Sequence, residues 1–259
     1  MRVALVQFQA GLDPHENLRR ASGFVKQAAR KGARFVLLPE VFLGRNPRSD
    51  SQEEPWCAAL RRLRALASRE RIYILAGSVR EKRTKRQEKP YNTSFLINDR
   101  GEIQAAYRKI HLFNARVDGM ILREDRVFKP GRRRVWTDVG GYRVGLSICY
   151  DLRFPGMYRY YARAGAEILC VPAAFTRTTG KAHWEVLLRA RAIENQCYVL
   201  APNQVGTDGQ SIVCYGRSMI VDPWGNIMVQ ASETNEEVVL GILAKHTIKN
   251  TRSCLGGNS

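Results

Sequence analysis

The chain has 259 residues, of which 44% are apolar and 25% are charged, an ordinary composition for a globular domain. It contains no run of 18 apolar residues, which excludes a transmembrane helix. Its opening residues, MRVALVQFQA, predict a strand rather than a signal peptide. The six cysteines form no C-x-x-C pair and no zinc-ligand spacing. This pattern excludes a disulfide-stapled secreted fold and predicts free thiols in a reducing cytoplasm.

The formal net charge of the chain is +18, and its basic residues are spread along the sequence. The densest run, REKRTKRQEK at residues 80–89, lies between two apolar segments and predicts a solvated hairpin loop. No aromatic RNA-binding pattern, zinc-finger spacing or basic heptad accompanies the charge. We therefore expect surface charge that attracts anionic substrates, and no nucleic-acid site. Weak, salt-sensitive binding of polyanions is the alternative.

In chain order, helical apolar spacings alternate with short apolar runs, which predicts alternating helices and strands. Pro14 follows a capping Asp13 at the first helix, and Gly140–Gly141 is a two-residue hairpin turn. The predicted strands cover residues 2–9, 34–39, 72–79, 91–97, 103–107, 134–139, 142–148, 167–171, 198–202, 214–221, 226–230 and 237–243, and the predicted helices cover 14–31, 54–69, 155–164 and 182–195. This order predicts an α/β layered fold in a single domain at residues 1–245. A polar, mobile tail is expected at 246–259.

Three segments each end an apolar strand with a reactive side chain. They are LLPE with Glu40, YRKIHLF with Lys109, and GLSICYDLRFP with Cys149. In α/β sheets, functional sites gather at the carboxyl ends of strands. A cysteine on a strand-to-helix turn has helix N–H groups nearby, which lower its pKa and can bind an oxyanion. Taken singly, each residue also has a structural interpretation: a capping or surface carboxylate, a solvated amine and a buried thiol.

Together, in this order and in these contexts, the three residues resemble the nitrilase, or carbon–nitrogen hydrolase, superfamily. The resemblance covers nearly the whole chain, from VALVQF through GARFVLLPE, YNTSFLI and GLSICYDLRFP to YGRSMIVDPWG. The block at residues 172–206 resembles the branch of Nit1- and Nit2-like amidases, which hydrolyse deaminated glutathione and ω-amides of α-keto acids. This resemblance implies a four-layer αββα sandwich, with two sheets packed together and helices outside.

The resemblance also implies roles for individual residues. Cys149 matches the nucleophile, Glu40 the general base, and Lys109 the cation that stabilises the tetrahedral intermediate. Glu124, in the segment ILRED, matches a second glutamate near the site. A base of this kind needs a raised pKa, which desolvation in a pocket would supply.

Four further residues are expected to contact the substrate. By resemblance, Tyr150 contributes its backbone N–H to the oxyanion hole, and Arg153 binds a substrate carboxylate. Phe175 and Thr176 follow a predicted strand end, and we expect them to line the pocket.

We expect cysteine-dependent hydrolysis of a small carboxylate-bearing amide, through a thioester and with release of ammonia. No metal and no cofactor is expected, and the family implies a homodimer or a higher homo-oligomer. An N-carbamoyl hydrolase or a nitrilase is the enzymatic alternative. A non-catalytic protein that retains the fold and binds polyanions is the alternative from another class.

Three departures from the branch limit what the resemblance implies about substrate and assembly. Gly156 stands where relatives usually carry an acidic residue, and Arg217 stands where the branch usually has histidine. The C-terminus, TRSCLGGNS, lacks the usual basic and proline-containing tail.

Overall fold

Two six-stranded sheets form the centre of the molecule, for which the computed structural model describes residues 1–45, 54–82, 88–117 and 119–256. The strands in these ranges are β1 (Arg2–Gln7), β2 (Phe35–Leu37), β3 (Tyr73–Glu81), β4 (Tyr91–Ile97), β5 (Ile103–Arg108), β6 (Asn114–Val117), β7 (Met120–Arg123), β8 (Val135–Val139), β9 (Tyr142–Leu146), β10 (Ile168–Cys170), β11 (Tyr198–Ala201), β12 (Val205–Thr207), β13 (Val213–Tyr215), β14 (Met219–Val221), β15 (Ile227–Gln230) and β16 (Glu237–Ile242). The helices are α1 (Pro14–Arg30), α2 (Pro55–Glu70), α3 (Pro155–Arg163), α4 (Arg177–Asn195) and α5 (Lys245–Leu255).

The first sheet has the strand order β16-β1-β2-β3-β4-β5, and the second has the order β15-β14-β11-β10-β9-β8. In each sheet three neighbouring strands run parallel: β1, β2 and β3 in the first, and β9, β10 and β11 in the second. The outer strands pair antiparallel. Both sheets therefore have a set of parallel strands whose carboxyl ends lie at one edge.

Side chains of the first sheet alternate between two apolar cores, as the pleat of a strand requires. Leu5 of β1 lies with Leu146 of β9 in the core between the sheets. Val6, the next residue, lies with Val25 of α1 on the opposite face. Helices α3 and α4 pack on the outer face of the second sheet, where Trp184 is fully buried. The molecule is thus the four-layer αββα sandwich that the sequence motifs predict.

Most predicted elements are confirmed within a few residues, and two differ for identifiable reasons. Helix α4 begins at Arg177 rather than at 182, because the Thr176 hydroxyl caps it by accepting from the backbone N–H of Thr179 at 3.4 Å. The strand predicted at 214–221 is interrupted, because Gly216 and Arg217 have φ angles of 68° and 55°. These left-handed residues separate β13 from β14. The sequence also did not predict β6, β7 or β12.

The mobile tail expected after Ala244 is a wrong prediction for residues 245–255, which form α5. Ile248, only 3% exposed, belongs to the apolar cluster that also contains Tyr198 of β11. The Arg252 guanidinium donates to the carbonyl of Ala166 at 2.9 Å. One apolar contact and one basic contact therefore fix a segment whose overall composition is polar. Residues 257–259 lie outside the described ranges.

No helix in the described ranges has the length and the apolar character needed to cross a bilayer.

Candidate active site

Cys149 lies on a tight turn between the end of β9 and the start of α3, where a 3₁₀ helix spans Cys149–Arg153. Its φ angle of 47° is left-handed, a conformation that costs a non-glycine residue about 1–3 kcal/mol. The backbone N–H of Cys149 donates to the carbonyl of Pro172 at 2.9 Å, and the residue is 8% exposed. The strand-to-helix turn predicted for this cysteine is therefore present.

The turn is held by Asp151, a fully buried carboxylate that sequence reasoning did not single out. Asp151 Oδ2 accepts from the backbone N–H of Ile148 at 2.9 Å and from the Tyr107 hydroxyl at 2.6 Å. Its Oδ1 accepts from the backbone N–H of His111 at 3.0 Å and lies 2.7 Å from that imidazole. An acidic residue two positions after a cysteine, inside an otherwise apolar turn, is the sequence signal that could have revealed it.

Glu40 and Lys109 form a buried ion pair, each with 2% of its surface exposed. Glu40 follows β2, and Lys109 follows β5 of the same sheet. Lys109 Nζ donates to Glu40 Oε1 at 2.8 Å, while Glu40 Oε2 accepts from the backbone N–H of Ala174 at 3.0 Å. Since Ala174 lies just beyond β10 of the second sheet, Glu40 bridges the two sheets at the edge where their parallel strands end.

Glu124 and Asn92 complete this network. Glu124 begins a 3₁₀ helix after β7, and its Oε1 accepts from Lys109 Nζ at 3.0 Å. Its Oε2 accepts from the backbone N–H of Phe113 at 2.6 Å, which joins the two ends of the β6–β7 hairpin. The Asn92 amide donates to Glu40 at 3.0 Å and to Glu124 at 3.1 Å. The sequence analysis did not predict Asn92 as a site residue, because an asparagine in a strand carries no distinctive signal.

Burial and the charge of Lys109 determine the protonation of the site. Burial raises the pKa of Glu40, but the positive charges of Lys109 and Arg45 bring that pKa below its ordinary value. Burial lowers the pKa of Lys109, but the carboxylates of Glu124 and Glu40 bring it above its ordinary value. Burial and the Glu40 carboxylate raise the pKa of Cys149 well above its ordinary value.

The resting site therefore holds a neutral thiol beside an ionised carboxylate. This arrangement differs from the lowered thiol pKa and the raised Glu40 pKa expected from sequence. The physical reasons are the burial of the thiol and the negative charge of Glu40, which both disfavour a Cys149 thiolate, and the charges of Lys109 and Arg45, which keep Glu40 ionised.

Glu40, Lys109, Glu124 and Cys149 all line one cavity of about 530 Å³. Its described lining also contains five further cations and several apolar side chains: Arg45, Arg80, Lys89, Arg123 and Arg126, with Phe113, Ile121, Leu122, Val127 and Phe128 among the apolar group. The cavity can therefore hold an organic molecule that is both aliphatic and anionic.

Two of these cations, Arg80 and Lys89, were not predicted to line a site because they begin and end the run predicted to be a solvated loop. The strands on either side of that run do pair as a hairpin, but β3 extends through Arg80 and Glu81. Glu81 is fully buried and accepts from the Arg108 guanidinium at 2.8 Å and 3.0 Å. The start of the run is thus part of the sheet, and residues 83–87 of the predicted loop lie outside the described residues.

The four predicted substrate-contact residues are not part of the described lining of this cavity. Tyr150, Arg153 and Phe175 lie together, with the Arg153 guanidinium 5.7 Å from the centre of the Tyr150 ring and 5.3 Å from that of Phe175. Arg153 also lies 3.2 Å from Nδ1 of His183. Thr176 caps α4. Tyr150, Arg153 and Phe175 therefore form a cluster, and its first member, Tyr150, is the residue directly after Cys149.

The departures from the branch leave this geometry intact. Gly156 is exposed in α3, and a Cβ placed there would meet no atom within 4 Å. Arg217 donates to Gln230 at 3.0 Å, and its carbonyl accepts from the indole of Trp184 at 2.8 Å. Neither residue is in the described lining of the cavity. Across the described residues, no group of three or more histidine, cysteine, aspartate or glutamate side chains could hold a metal ion.

The chain is similar to several characterised amidases. The carbon–nitrogen hydrolase family matches residues 2–253. A deaminated glutathione amidase from Synechocystis sp. is 43% identical over 224 residues, 84% of this chain and 82% of that protein. Omega-amidase NIT2 from Mus musculus is 38% identical over 243 residues, 92% of this chain and 86% of that protein.

A third relative is a fusion protein and is longer. The nitrilase and fragile histidine triad fusion protein NitFhit of Caenorhabditis elegans is 39% identical over 239 residues, 89% of this chain. This chain spans 54% of that protein's length. The NitFhit crystal structure matches with a TM-score of 0.90 and 35% identity, over 98% of this chain and 63% of that one. On these matches the chain belongs to the carbon–nitrogen hydrolase family, in the Nit1- and Nit2-like amidase branch that its motifs predict, whose members hydrolyse amide C–N bonds.

Proposed function

We propose that this chain is a thiol amidase that hydrolyses a small carboxylate-bearing amide, with Cys149 as nucleophile, Glu40 as general base and Lys109 as the electrostatic stabiliser. The observation that carries the proposal is the buried Glu40–Lys109 pair, joined at 2.8 Å in the cavity that Cys149 also lines. A thiol, a base and a fixed cation in one enclosed space are the groups that acyl transfer requires.

The reaction starts from a neutral thiol and an ionised Glu40. As Cys149 Sγ attacks the amide carbon, the thiol proton passes to Glu40, and the carbonyl oxygen becomes an oxyanion. The charge of Lys109 and the proposed backbone N–H of Tyr150 stabilise that oxyanion. One such group in a dry site commonly lowers the barrier by about 3–4 kcal/mol. Because the carboxylate receives the proton only when the carbonyl is present, the thiolate need not accumulate in the free enzyme.

Collapse of the intermediate breaks the C–N bond. The proton on Glu40 moves to the leaving nitrogen, so that ammonia departs rather than an amide anion. A thioester remains on Cys149, and Glu40 or Glu124 then takes a proton from the water that attacks it. The C–S bond breaks, the acid product leaves, and the proton returns to the Cys149 sulfur. The 3.0 Å contact between Glu124 Oε1 and Lys109 Nζ also supports a role for Glu124 in holding Lys109.

The substrate class rests on charge. The cavity lining carries more cations than carboxylates, and the relatives include a deaminated glutathione amidase and an omega-amidase. We keep Arg153 as a proposed carboxylate ligand beside Phe175 and Thr176. If Arg153→Ala hydrolyses carboxylate-bearing and neutral amides in the wild-type ratio, that assignment is wrong.

Ammonia release from the purified protein tests the function. The panel contains ω-amides of keto acids, N-carbamoyl amino acids and nitriles, because the latter two classes represent the enzymatic alternatives. Cys149→Ser is expected to lose the activity, whereas Cys254→Ser, which changes an exposed thiol, is expected to keep it. If a folded protein releases ammonia from none of these classes, and its Cys149 does not react with iodoacetamide, the non-catalytic alternative is favoured.

We further propose a cytoplasmic homodimer or higher homo-oligomer. The six cysteines are free thiols, which supports a reducing compartment. Sedimentation of the purified protein tests the assembly.

A further inference from the structure

Arg80 is a half-buried cation of the cavity that has no ion-pair partner among the described residues. It is half-buried near the end of β3 and lines the same cavity as Cys149. Its Nη1 donates to the backbone carbonyl of Arg45 at 3.1 Å, and its guanidinium lies 5.3 Å from the centre of the Phe128 ring. Within the described residues, no carboxylate lies at ion-pair distance from Arg80.

Two neighbouring cations, Arg45 and Arg123, have carboxylate partners, and Arg126 is exposed to water, whereas Arg80 is half-buried. Arg45 is paired with Asp208 and also donates to the carbonyl of Ala174 at 3.1 Å. Arg123 is paired with Asp125 at 2.8 Å, and Lys89 donates to the carbonyl of Asp125 at 3.1 Å.

Burial lowers the pKa of Arg80, and the more distant charge of Glu54 acts in the opposite direction without forming an ion pair. The lowered pKa is the mark of a guanidinium that has lost water without gaining a counter-ion. Nη1 of Arg80 is used by the Arg45 carbonyl, and the edge formed by Nε and Nη2 has no acceptor among the described residues. Such an edge binds a carboxylate through two parallel hydrogen bonds, which restores the lost solvation. The face of Phe128 and the bond to Arg45 hold the group in one orientation, so little side-chain entropy remains to be lost on binding.

We propose that Arg80 is an anion subsite of the cavity, and that it binds a carboxylate carried by the substrate on a chain extending from the scissile amide. The apolar lining residues Val127 and Phe128 would contact the methylene groups of that chain. Glu88 also lines the cavity, and its carboxylate opposes an anion there, so the attraction of Arg80 for the substrate carboxylate has to exceed that repulsion. This inference rests on the proposed amidase function and goes beyond it, because it assigns a specificity residue that the sequence motifs do not include.

The test separates binding from turnover. Isothermal titration with succinate, glutarate and adipate, each beside the monocarboxylate of equal chain length, measures binding without any reaction. At least one dicarboxylate is expected to bind more tightly than its monocarboxylate partner. Arg80→Gln is expected to remove that advantage, with a loss in affinity of about 10- to 100-fold for a charged hydrogen-bond pair.

Two further variants sharpen the comparison. Arg80→Lys keeps the charge but loses the bidentate fork, so it is expected to bind dicarboxylates with an affinity between those of the wild type and Arg80→Gln. It also replaces Arg80→Gln in the test if that variant fails to fold. Arg116→Gln removes the same charge from an exposed position outside the described lining of the cavity. It is expected to bind the dicarboxylates as the wild type does.

Turnover then follows with succinamate, glutaramate and adipamate against alkyl amides of matched length. Arg80→Gln is expected to lower kcat/KM for the anionic amides by a similar factor and to leave the neutral amides unchanged. Equal binding of dicarboxylates by Arg80→Gln and the wild type would overturn the subsite while leaving the amidase proposal intact. Dicarboxylate binding that depends on Arg80, in a protein that releases ammonia from no amide, would support the subsite and contradict the amidase proposal.

Discussion

Tyr107 donates its hydroxyl to the buried carboxylate of Asp151 at 2.6 Å. This bond links the strand that precedes Lys109 to the turn that presents Cys149. The same hydroxyl accepts from the backbone N–H of Ile110 at 3.2 Å, so it also holds the chain just after Lys109. One phenol therefore fixes the proposed cation relative to the proposed nucleophile.

Replacing Tyr107 with phenylalanine is expected to lower both stability and catalysis. The free energy of unfolding should fall by about 1–3 kcal/mol, because a buried carboxylate loses a charged hydrogen bond. The turnover number should fall by about tenfold, because misplacement of the reacting groups by a fraction of an ångström raises the barrier. Urea unfolding and ammonia release measure the two effects.

Tyr161→Phe is the matched control for this prediction. Its hydroxyl is also buried, but it donates to the backbone carbonyl of Leu146 at 2.6 Å rather than to the Asp151 carboxylate. It is expected to lose stability without losing turnover. Equal losses of turnover in the two variants would mean that Tyr107 acts only through general packing.

The fold and the centre of the site could be predicted from sequence for a common reason. Buried parallel strands appear as short apolar runs, and the residue that ends such a run lies at the edge where sites form. Glu40 and Cys149 each follow a strand of this kind, on different sheets. Lys109 follows β5, the edge strand of the first sheet, which pairs antiparallel with β4. The motif order and the strand alternation therefore agree on one arrangement.

The rest of the site depends on pairing between distant segments, which a single sequence does not reveal. Arg80 pairs with Asn92 across the β3–β4 hairpin, and Thr93 pairs with Arg108 across the next one. This register brings Asn92 beside Lys109 and Arg80 into the cavity. Within the sequence, Arg80 is one charge in a basic run, and only the length of β3 distinguishes it from a loop residue.

Glu40→Gln is expected to increase the reactivity of Cys149 while abolishing turnover. The Glu40 carboxylate raises the pKa of the thiol, whereas Lys109 lowers it. Removing the negative charge and keeping the positive one therefore moves the pKa of Cys149 downward, so that more thiolate is present at pH 8. The rate of iodoacetamide alkylation against pH, followed by mass spectrometry of the Cys149 peptide in a Cys254→Ser background, measures the shift.

Lys109→Met is expected to shift the pKa of Cys149 in the opposite direction, upward. It removes the Lys109 charge that lowers the pKa of the Cys149 thiol, so the alkylation profile should move to higher pH. A slower alkylation of Cys149 in Glu40→Gln than in the wild type would show that Glu40 acts as a base even towards iodoacetamide. That result would contradict the charge argument.

Ile248→Ala tests whether α5 is an integral part of the fold. The side chain is 3% exposed and belongs to the main apolar cluster of the molecule, and truncations of this kind cost about 2–5 kcal/mol. Lys249→Ala, at an exposed position one residue along, is expected to change the free energy of unfolding by less than about 0.5 kcal/mol. Equal free energies of unfolding of the two variants would support the mobile tail that the polar composition predicts.

Gly77→Ala is expected to damage the site by moving the segment that carries Glu40. Gly77 has a φ of 21°, and a Cβ there would lie 1.8 Å from the carbonyl oxygen of Pro39, a separation that only displacement of the backbone can relieve. Because Pro39 directly precedes Glu40, displacement of this backbone should also break the 2.8 Å contact between Glu40 and Lys109.

Turnover and thermal unfolding of Gly77→Ala, measured beside those of the control variant Gly23→Ala, test this prediction. A Cβ at exposed Gly23 of α1 would meet nothing within 4 Å, so that variant should gain up to about 1 kcal/mol of stability from helix propensity. Wild-type turnover in Gly77→Ala would show that the position of Glu40 does not depend on close approach of β3 to the chain after β2.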